Sequence, residues 1–155
     1  MAPTRRFTTP QDLRAALGQT LGPTDWTVID QARIDRFARA TGDHQWIHTD
    51  PRRAAARPFG TTVAHGWLTL SLLPAFEAQL LEVGGAVMGV NYGADRVRFP
   101  APVPCGSRLR ATAVVAEVRD VAGGVQVVLA VEIESDGGGK PVCVAEVVSR
   151  YYTGD

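Results

Sequence analysis

The three histidines of this chain, His44, His48 and His65, lie within one short stretch that also contains Asp43. Asp43 follows a glycine that ends a predicted helix, and His48 precedes a helix that is predicted to begin at a proline. On one continuous helix their spacing would point the two side chains apart, whereas from a loop both reach one pocket. An imidazole exchanges protons near neutral pH. The sequence therefore predicts that Asp43 and His48 form an acid/base pair.

Each member of this pair also has an ordinary structural interpretation. Asp43 fits a turn after a helix, and His48 fits a position close to a helix start. Trp46 and Ile47 lie between them and would shield a pocket, which strengthens the electrostatic coupling of an Asp–His pair. The combination of both residues between two helix boundaries favours the functional interpretation.

A second motif, VAHGW at residues 63–67, leads into a long apolar segment. A glycine lets a ligand approach the backbone, and the free N–H groups at a helix start favour negative charge. The N–H of Gly66 would therefore suit the oxygen of an enolate, as part of an oxyanion hole. An equally good interpretation is that Gly66 only permits tight packing of the helix against a sheet.

The spacing of His44 and His48, with His65 as a third ligand, also makes a zinc site conceivable. No HExxH pattern accompanies the pair, and Gly42 argues against a single helix that carries both rings on one face. We therefore expect no metal at this site.

The composition is that of one ordinary globular domain, residues 1–155. Sixteen basic side chains balance sixteen acidic ones, which argues against nucleic-acid binding. The longest apolar stretch, residues 67–76, is too short to cross a bilayer, and the N-terminus lacks a signal-peptide pattern. Cys105 and Cys143 form no disulfide framework and predict buried, reduced thiols. We expect a cytoplasmic protein that does not enter a membrane.

Helices are predicted mainly in the first half of the chain. Three of them begin at a capping side chain and end at a glycine or a proline, at residues 9–18, 30–42 and 50–58. Residues 26–29 predict a short strand. Residues 67–83 are apolar nearly all round, which predicts a buried helix that Pro74 kinks or breaks.

After residue 84 the hydrophobic period changes to two, which predicts strands at residues 87–92, 96–99, 107–118, 125–134 and 142–152. Glycine-rich turns separate the last three, which indicates an antiparallel meander. One buried helix and a long antiparallel sheet predict the α+β class, with the sheet wrapped around the helix.

Residues 40–48, ATGDHQWIH, resemble the hydratase signature of the MaoC-like family of (R)-specific enoyl-CoA hydratases. The resemblance continues at residues 64–66, AHG, at 91–93, NYG, and at 96–104, RVRFPAPVP. The segment at residues 96–104 resembles the corresponding segment of the subgroup that includes nodulation protein N. The segment HQWIH at residues 44–48 resembles that subgroup as well. The resemblance covers a core from about residue 26 to residue 152 and leaves residues 1–25 as an N-terminal helical extension.

The resemblance implies a hot-dog fold, in which the long sheet wraps around one central helix, and it implies a homodimer. It implies that Asp43 and His48 are the catalytic dyad and that the N–H of Gly66 is the oxyanion donor. Three further residues are expected to line the substrate site, namely His65, Gln45 and Trp46. Relatives commonly have Asn-Pro at the last two positions; we expect Gln45 to substitute for the asparagine and Trp46 to narrow the entrance.

The implied activity is the reversible hydration of a trans-2-enoyl thioester to an (R)-3-hydroxyacyl thioester. Coenzyme A or an acyl carrier protein is expected to carry the acyl group, and no cofactor is expected besides coenzyme A within the substrate. The phosphates of coenzyme A could pair with several arginines: Arg52, Arg53, Arg57, Arg96, Arg98, Arg108 and Arg110. Two alternatives stay open: a hot-dog acyl thioesterase, and a non-catalytic acyl-binding protein or partner subunit of a heteromeric dehydratase.

Overall fold

The structure of the protein is a computed structural model that describes residues 3–154. Its helices are α1 Gln31–Thr41, α2 Trp46–Thr49, α3 Pro51–Ala55, α4 Gly66–Ser71 and α5 Leu73–Leu80, and a 3₁₀ helix spans Pro10–Ala16. Its strands are β1 Arg5–Phe7, β2 Thr20–Leu21, β3 Thr27–Val28, β4 Leu81–Val83, β5 Met88–Arg98, β6 Arg108–Val121, β7 Gly124–Ser135 and β8 Cys143–Tyr152.

The main sheet has six strands in the order β2-β6-β7-β8-β5, with β3 also paired to β6. Strands β6, β7 and β8 form the predicted antiparallel meander. Alternate side chains of β6, from Leu109 to Val115, are buried and join one core with Phe76 and Leu80 of α5. The inward face of the sheet therefore covers the central helix, which confirms the predicted α+β class.

The strands predicted at residues 87–92 and 96–99 form a single strand, β5, which pairs with β8. Irregularities in its register lie between Asn91 and Gly93 and between Asp95 and Arg98, and Arg96 has a positive φ of 53°. Bulges of this kind place extra residues in one strand without ending its pairing. The prediction of two strands was wrong because the bulges interrupt the period of two.

The predicted helix at residues 67–83 is also different in the structure. Helix α4 ends at Ser71, and the N–H of the intervening Leu72 bonds to the carbonyl of Thr69. Pro74 lies in the first turn of α5, where its missing N–H costs nothing. The last three residues of the predicted segment are strand β4, which pairs in parallel with β1. Trp67 is 64% exposed, so the helix is not buried all round.

The N-terminal segment was predicted to be a helical extension and is only partly helical. Thr9 and Asp12 form a capping box, with the Thr9 N–H donating to Asp12 Oδ2 at 2.8 Å, but the helix is a 3₁₀ helix. Strands β1 and β2 flank it and pair with β4 and β6. Leu13 and Ala16 are buried in the common core. Residues 1 and 2 of this prediction lie outside the described range.

Two of the predicted helices position the candidate site. Asp30 caps α1 by accepting from the Arg33 N–H at 2.8 Å, and Gly42 ends it with a left-handed φ of 79°. Asp50 caps α3 in the same way through the Arg53 N–H. Between them lies α2, a single helical turn that the sequence did not predict.

Both cysteines are free thiols, as predicted. Cys143 is buried, and burial raises the pKa of its thiol to about 11, whereas Cys105 is partly exposed. Within residues 3–154, no helix is long and apolar enough to cross a membrane.

Candidate active site

The predicted acid/base residues meet between the C-terminus of α1 and the N-terminus of α4. Asp43, His48 and His65 each direct a nitrogen or oxygen atom to one place, with these atoms all within 4.8 Å of one another. The two histidine rings are buried, whereas the Asp43 side chain is about half exposed. His44, from the same segment, is exposed. The fold therefore unites the predicted pair and adds His65 to it.

The hydrogen bonding of His48 determines which of its ring nitrogens carries the proton. Its Nδ1 lies 2.6 Å from the carbonyl oxygen of Val63. Because a carbonyl oxygen only accepts hydrogen bonds, Nδ1 must carry a proton, and in the neutral ring Nε2 then keeps its lone pair. This arrangement presents one nitrogen of His48 for accepting a proton.

The backbone around His48 is braced by groups that sequence reasoning missed. The Gln31 side-chain amide donates to the His48 carbonyl at 2.8 Å, and the Thr62 hydroxyl donates to the Gln31 side-chain oxygen at 2.6 Å. The Val63 N–H donates to the Ile47 carbonyl at 3.0 Å. No sequence spacing links Gln31 or Thr62 to Asp43 and His48, because their contacts depend on how α1 packs against α2.

His65 contacts both members of the pair. Its ring stacks on that of His48, with centroids 3.8 Å apart and planes 24° apart. Its Nε2 lies 3.0 Å from the backbone carbonyl oxygen of Asp43 and therefore donates to it. Among the described residues its Nδ1 has no partner, although the side chain is only 2% exposed. His65 thus fixes the positions of the other two residues.

The Asp43 side chain has one oxygen in a turn hydrogen bond and the other towards the histidines, so both interpretations of this residue apply. Its Oδ1 accepts from the Gln45 N–H at 3.3 Å, as a turn aspartate does. Its Oδ2 lies 4.0 Å from His65 Nε2. One carboxylate oxygen therefore shapes the loop, while the other faces the histidines.

The environment favours the neutral, basic form of His48. Burial is the main cause that lowers the pKa of His48 below its ordinary value, and the neighbouring His65 lowers it further. The hydrogen bond to Val63 and the negative charge of Asp43 oppose this shift. A neutral imidazole at neutral pH is the form that a general base requires.

We expect the acid limb of kcat/KM to lie below pH 6.5, the ordinary pKa of a histidine. Activity should rise with pH through this limb, because the base is active only when deprotonated, and the measured pKa belongs to the coupled cluster. A His65→Asn variant removes one cause of the depression, so its limb should move to higher pH. A pH–rate profile of both proteins checks this; a limb above pH 7 in the parent would contradict it.

Gly66 is the first residue of α4, where its N–H has no carbonyl partner within the helix. A Cβ at this position would lie 2.7 Å from the ring of Phe99. Beside it is a cleft of about 210 Å³ lined by residues that include Ala64, Thr69 and Phe99. The close contact supports the packing interpretation of Gly66, and the free N–H beside a cleft is compatible with the oxyanion interpretation.

The other two predicted site residues, Gln45 and Trp46, lie between Asp43 and His48 in the sequence. Gln45 is exposed and precedes α2, and Trp46 is partly buried on that helix. The guanidinium of Arg53 lies 4.4 Å from the Trp46 ring centroid, and that of Arg57 lies 5.9 Å away. Trp46 is therefore covered by cations from α3 and the loop after it.

The conceivable zinc ligands His44, His48 and His65 do not come together, because His44 is exposed. Asp43 takes its place in the only group of three such ligands found within residues 3–154. The expectation that the site works without a metal stays a prediction.

Comparison with known proteins assigns the family. Residues 12–136 match the MaoC like domain. The chain is 52% identical over 148 residues to 3-hydroxyacyl-thioester dehydratase Z of Mycobacterium tuberculosis H37Rv, covering 95% of this chain and 98% of the relative. It is 51% identical over 108 residues to nodulation protein N of Rhizobium leguminosarum, covering 68% of this chain and 67% of that protein.

A solved structure gives the same result for the fold. R-hydratase PhaJ1 of Pseudomonas aeruginosa superimposes with a TM-score of 0.72 at 26% identity, covering 89% of this chain and 83% of the hydratase. The hot-dog fold expected from the resemblance is thereby confirmed, as is the similarity to nodulation protein N. The chain therefore belongs to the MaoC-like dehydratase family and is a hydro-lyase.

Proposed function

We propose that the protein catalyses the reversible hydration of trans-2-enoyl thioesters to (R)-3-hydroxyacyl thioesters. The observation that carries this proposal is the cluster of Asp43, His48 and His65 directly before Gly66, in which the Val63 carbonyl leaves Nε2 of His48 as the unprotonated nitrogen. The R configuration is supported by the likeness to a structure named an R-hydratase. Asp43 and His48 are the proposed catalytic residues.

In the hydration direction, a water molecule binds between Asp43 and His48. One of them takes a proton as the water oxygen bonds to the β-carbon, and the electrons of the double bond move to the thioester oxygen as an enolate. The Gly66 N–H, at the positive end of α4, stabilises that oxygen. The α-carbon then takes a proton from the dyad, which restores the thioester and both catalytic groups. Every step uses only this chain, water and substrate.

The acyl carrier is proposed to be coenzyme A or an acyl carrier protein. Arg53 and Arg57 lie beside Trp46 near the site, which suits them to a phosphate group. Most of the other candidate arginines are engaged elsewhere: Arg96 with Glu146, Arg108 with Asp136 and Arg110 with Glu134. We therefore assign the phosphates to the arginines that follow α2.

We also propose that the protein is a homodimer. Strand β5 ends the order of the main sheet, so one of its edges has no strand beside it within residues 3–154. Large exposed hydrophobic side chains lie on or next to this strand, namely Val87, Met88, Tyr92 and Phe99. A long edge strand with apolar side chains is suited to pairing with a second copy.

With crotonyl-CoA as substrate, we expect the conjugated-enoyl absorbance to fall without release of free thiol. Hydration saturates the double bond and keeps the thioester, whereas a thioesterase would release a thiol. A thiol reagent in the same cuvette separates the two activities, and chiral analysis of the product checks the R configuration.

The Asp43→Asn variant is the control for this assay, because its activity should be lost. Absence of any absorbance change with enoyl-CoA chains of several lengths would exclude coenzyme A as the carrier. The same absence with enoyl chains on an acyl carrier protein would contradict the proposal and favour a non-catalytic subunit.

A further inference from the structure

A buried carboxyl group lies outside the candidate active site, on the central helix. Glu77 of α5 is only 8% exposed. Its Oε2 accepts a long hydrogen bond of 3.4 Å from the Ser149 hydroxyl, and its Oε1 has no partner among the described residues. A buried acceptor without a donor is costly and rare in folded proteins. Its position therefore suits a ligand that supplies a donor.

Two adjoining cavities of about 200 and 210 Å³ meet at Glu77. Pro74, Glu77 and Asn91 line both, and the two adjoining cavities together are here called the Glu77 groove. It runs along α4 and α5 between these helices and β5. Its walls are mostly apolar, with Leu70 and Leu73 at one end and Leu81, Val83 and Tyr151 at the other.

The groove begins about one helical turn beyond Gly66, at Leu70. Leu72, between α4 and α5, keeps a right-handed helical backbone, so Glu77 follows Gly66 by about three turns, or roughly 16 Å along the axis. Helical side chains lean one turn back towards the N-terminus. The carboxyl group is thus about 11 Å from the start of α4. An extended chain covers about 3.5 Å for every three bonds, so an acyl chain of roughly ten carbons spans that distance.

The chemistry of the groove differs between its walls and its middle, where Glu77 lies. Its apolar walls suit methylene groups. A plain hydrocarbon placed against Glu77 would leave Oε1 unpaired, whereas a hydroxyl group would donate to it. Burial raises the pKa of Glu77 to about 7, so both the charged and the neutral carboxyl are present near neutral pH. A hydroxyl pairs with either form, because it both donates and accepts.

We propose that the Glu77 groove binds the acyl chain of the substrate and that Glu77 selects chains carrying a hydroxyl group about ten carbons from the thioester. This inference rests on the proposed function, because it places the thioester at Gly66. Glu77 is assigned to specificity and takes no part in the chemical step.

The test is calorimetric binding of two saturated probes, ω-hydroxydecanoyl-CoA and decanoyl-CoA. The unmodified protein is expected to bind the hydroxylated probe roughly tenfold more tightly, because only that probe satisfies Glu77. Glu77→Leu should abolish or reverse this preference. Glu82→Leu, a matched change at an exposed residue of β4, should leave it intact.

Equal affinities of the unmodified protein for both probes would overturn the proposal, and this comparison needs no variant. An unchanged preference in Glu77→Leu would also overturn it. The remaining occupant is a second copy of the chain. Equal binding of both probes by the unmodified protein, together with a smaller dimer fraction of Glu77→Leu in sedimentation, would assign the groove to a subunit interface instead. Saturated probes cannot be hydrated, so failure of the proposed reaction would appear separately, in the crotonyl-CoA assay.

Discussion

Replacing His48 with alanine is expected to lower kcat for enoyl thioester hydration by roughly 10²- to 10⁴-fold, the contribution of a positioned acid/base group. The variant lacks the unprotonated nitrogen that the Val63 carbonyl sets by holding the opposite ring nitrogen. Asp43→Asn should give a loss of similar size, because an amide cannot exchange a proton or stabilise an imidazolium. The asparagine oxygen can still accept from the Gln45 N–H, so the loop should keep its shape.

Stopped-flow or steady-state absorbance assays measure these losses, and His44→Ala is the matched control. His44 belongs to the same segment but is exposed and lies outside the cluster, so its replacement should change kcat by less than about twofold. Thermal unfolding should show that all three variants are folded. Comparable kcat values for His48→Ala and His44→Ala would remove His48 from the mechanism.

Replacing Gly66 with alanine is expected to lower both stability and activity. The new Cβ would lie 2.7 to 2.9 Å from three atoms of the Phe99 ring, so the ring or the start of α4 must move. Overpacking of this kind costs about 1–3 kcal/mol of unfolding free energy. A shift of the helix start also misplaces the Gly66 N–H, for which a loss of roughly 10²-fold in kcat/KM is expected. Denaturant unfolding and steady-state kinetics measure the two effects.

A second change at Phe99 separates the two interpretations of Gly66. In the double variant Gly66→Ala/Phe99→Ala the clash is absent, so the Gly66 change should add little destabilisation to that of Phe99→Ala alone. If the glycine also admits the thioester to the N–H, kcat/KM should stay well below that of Phe99→Ala. Equal kcat/KM values for the double variant and Phe99→Ala would restrict Gly66 to helix–sheet packing.

Much of the candidate site was predictable because its main residues are close in sequence. The boundaries of α1 and α3 follow from Asp30, Gly42 and Asp50, whose capping roles are local. These boundaries place Asp43 and His48 on one connecting segment. The turn of α2 was not predicted, because four residues without a side-chain cap carry too little periodic signal.

The central helix shows where local patterns gave the wrong answer. The sequence predicts a helix at residues 67–83 with a kink at Pro74, but its last residues became strand β4 because β1 offers backbone partners. Similarly, β5 continues through its bulges because β8 supplies a ladder on both sides of them. In both cases a distant strand decided the outcome, and no local propensity encodes that partner.

The sequence by itself determined the α+β class, the helix caps and the choice of Asp43 and His48 as the candidate acid/base pair, because capping, periodicity and motif spacing act over a few residues. Only the tertiary structure decided that His65 stacks on His48, that Val63 sets the protonated nitrogen of His48, and that Phe99 closes over Gly66. It also decided that Glu77 is buried with one oxygen unpaired. These features arise from contacts between segments far apart in the chain, whose burial and orientation exist only after the sheet has wrapped around the helix.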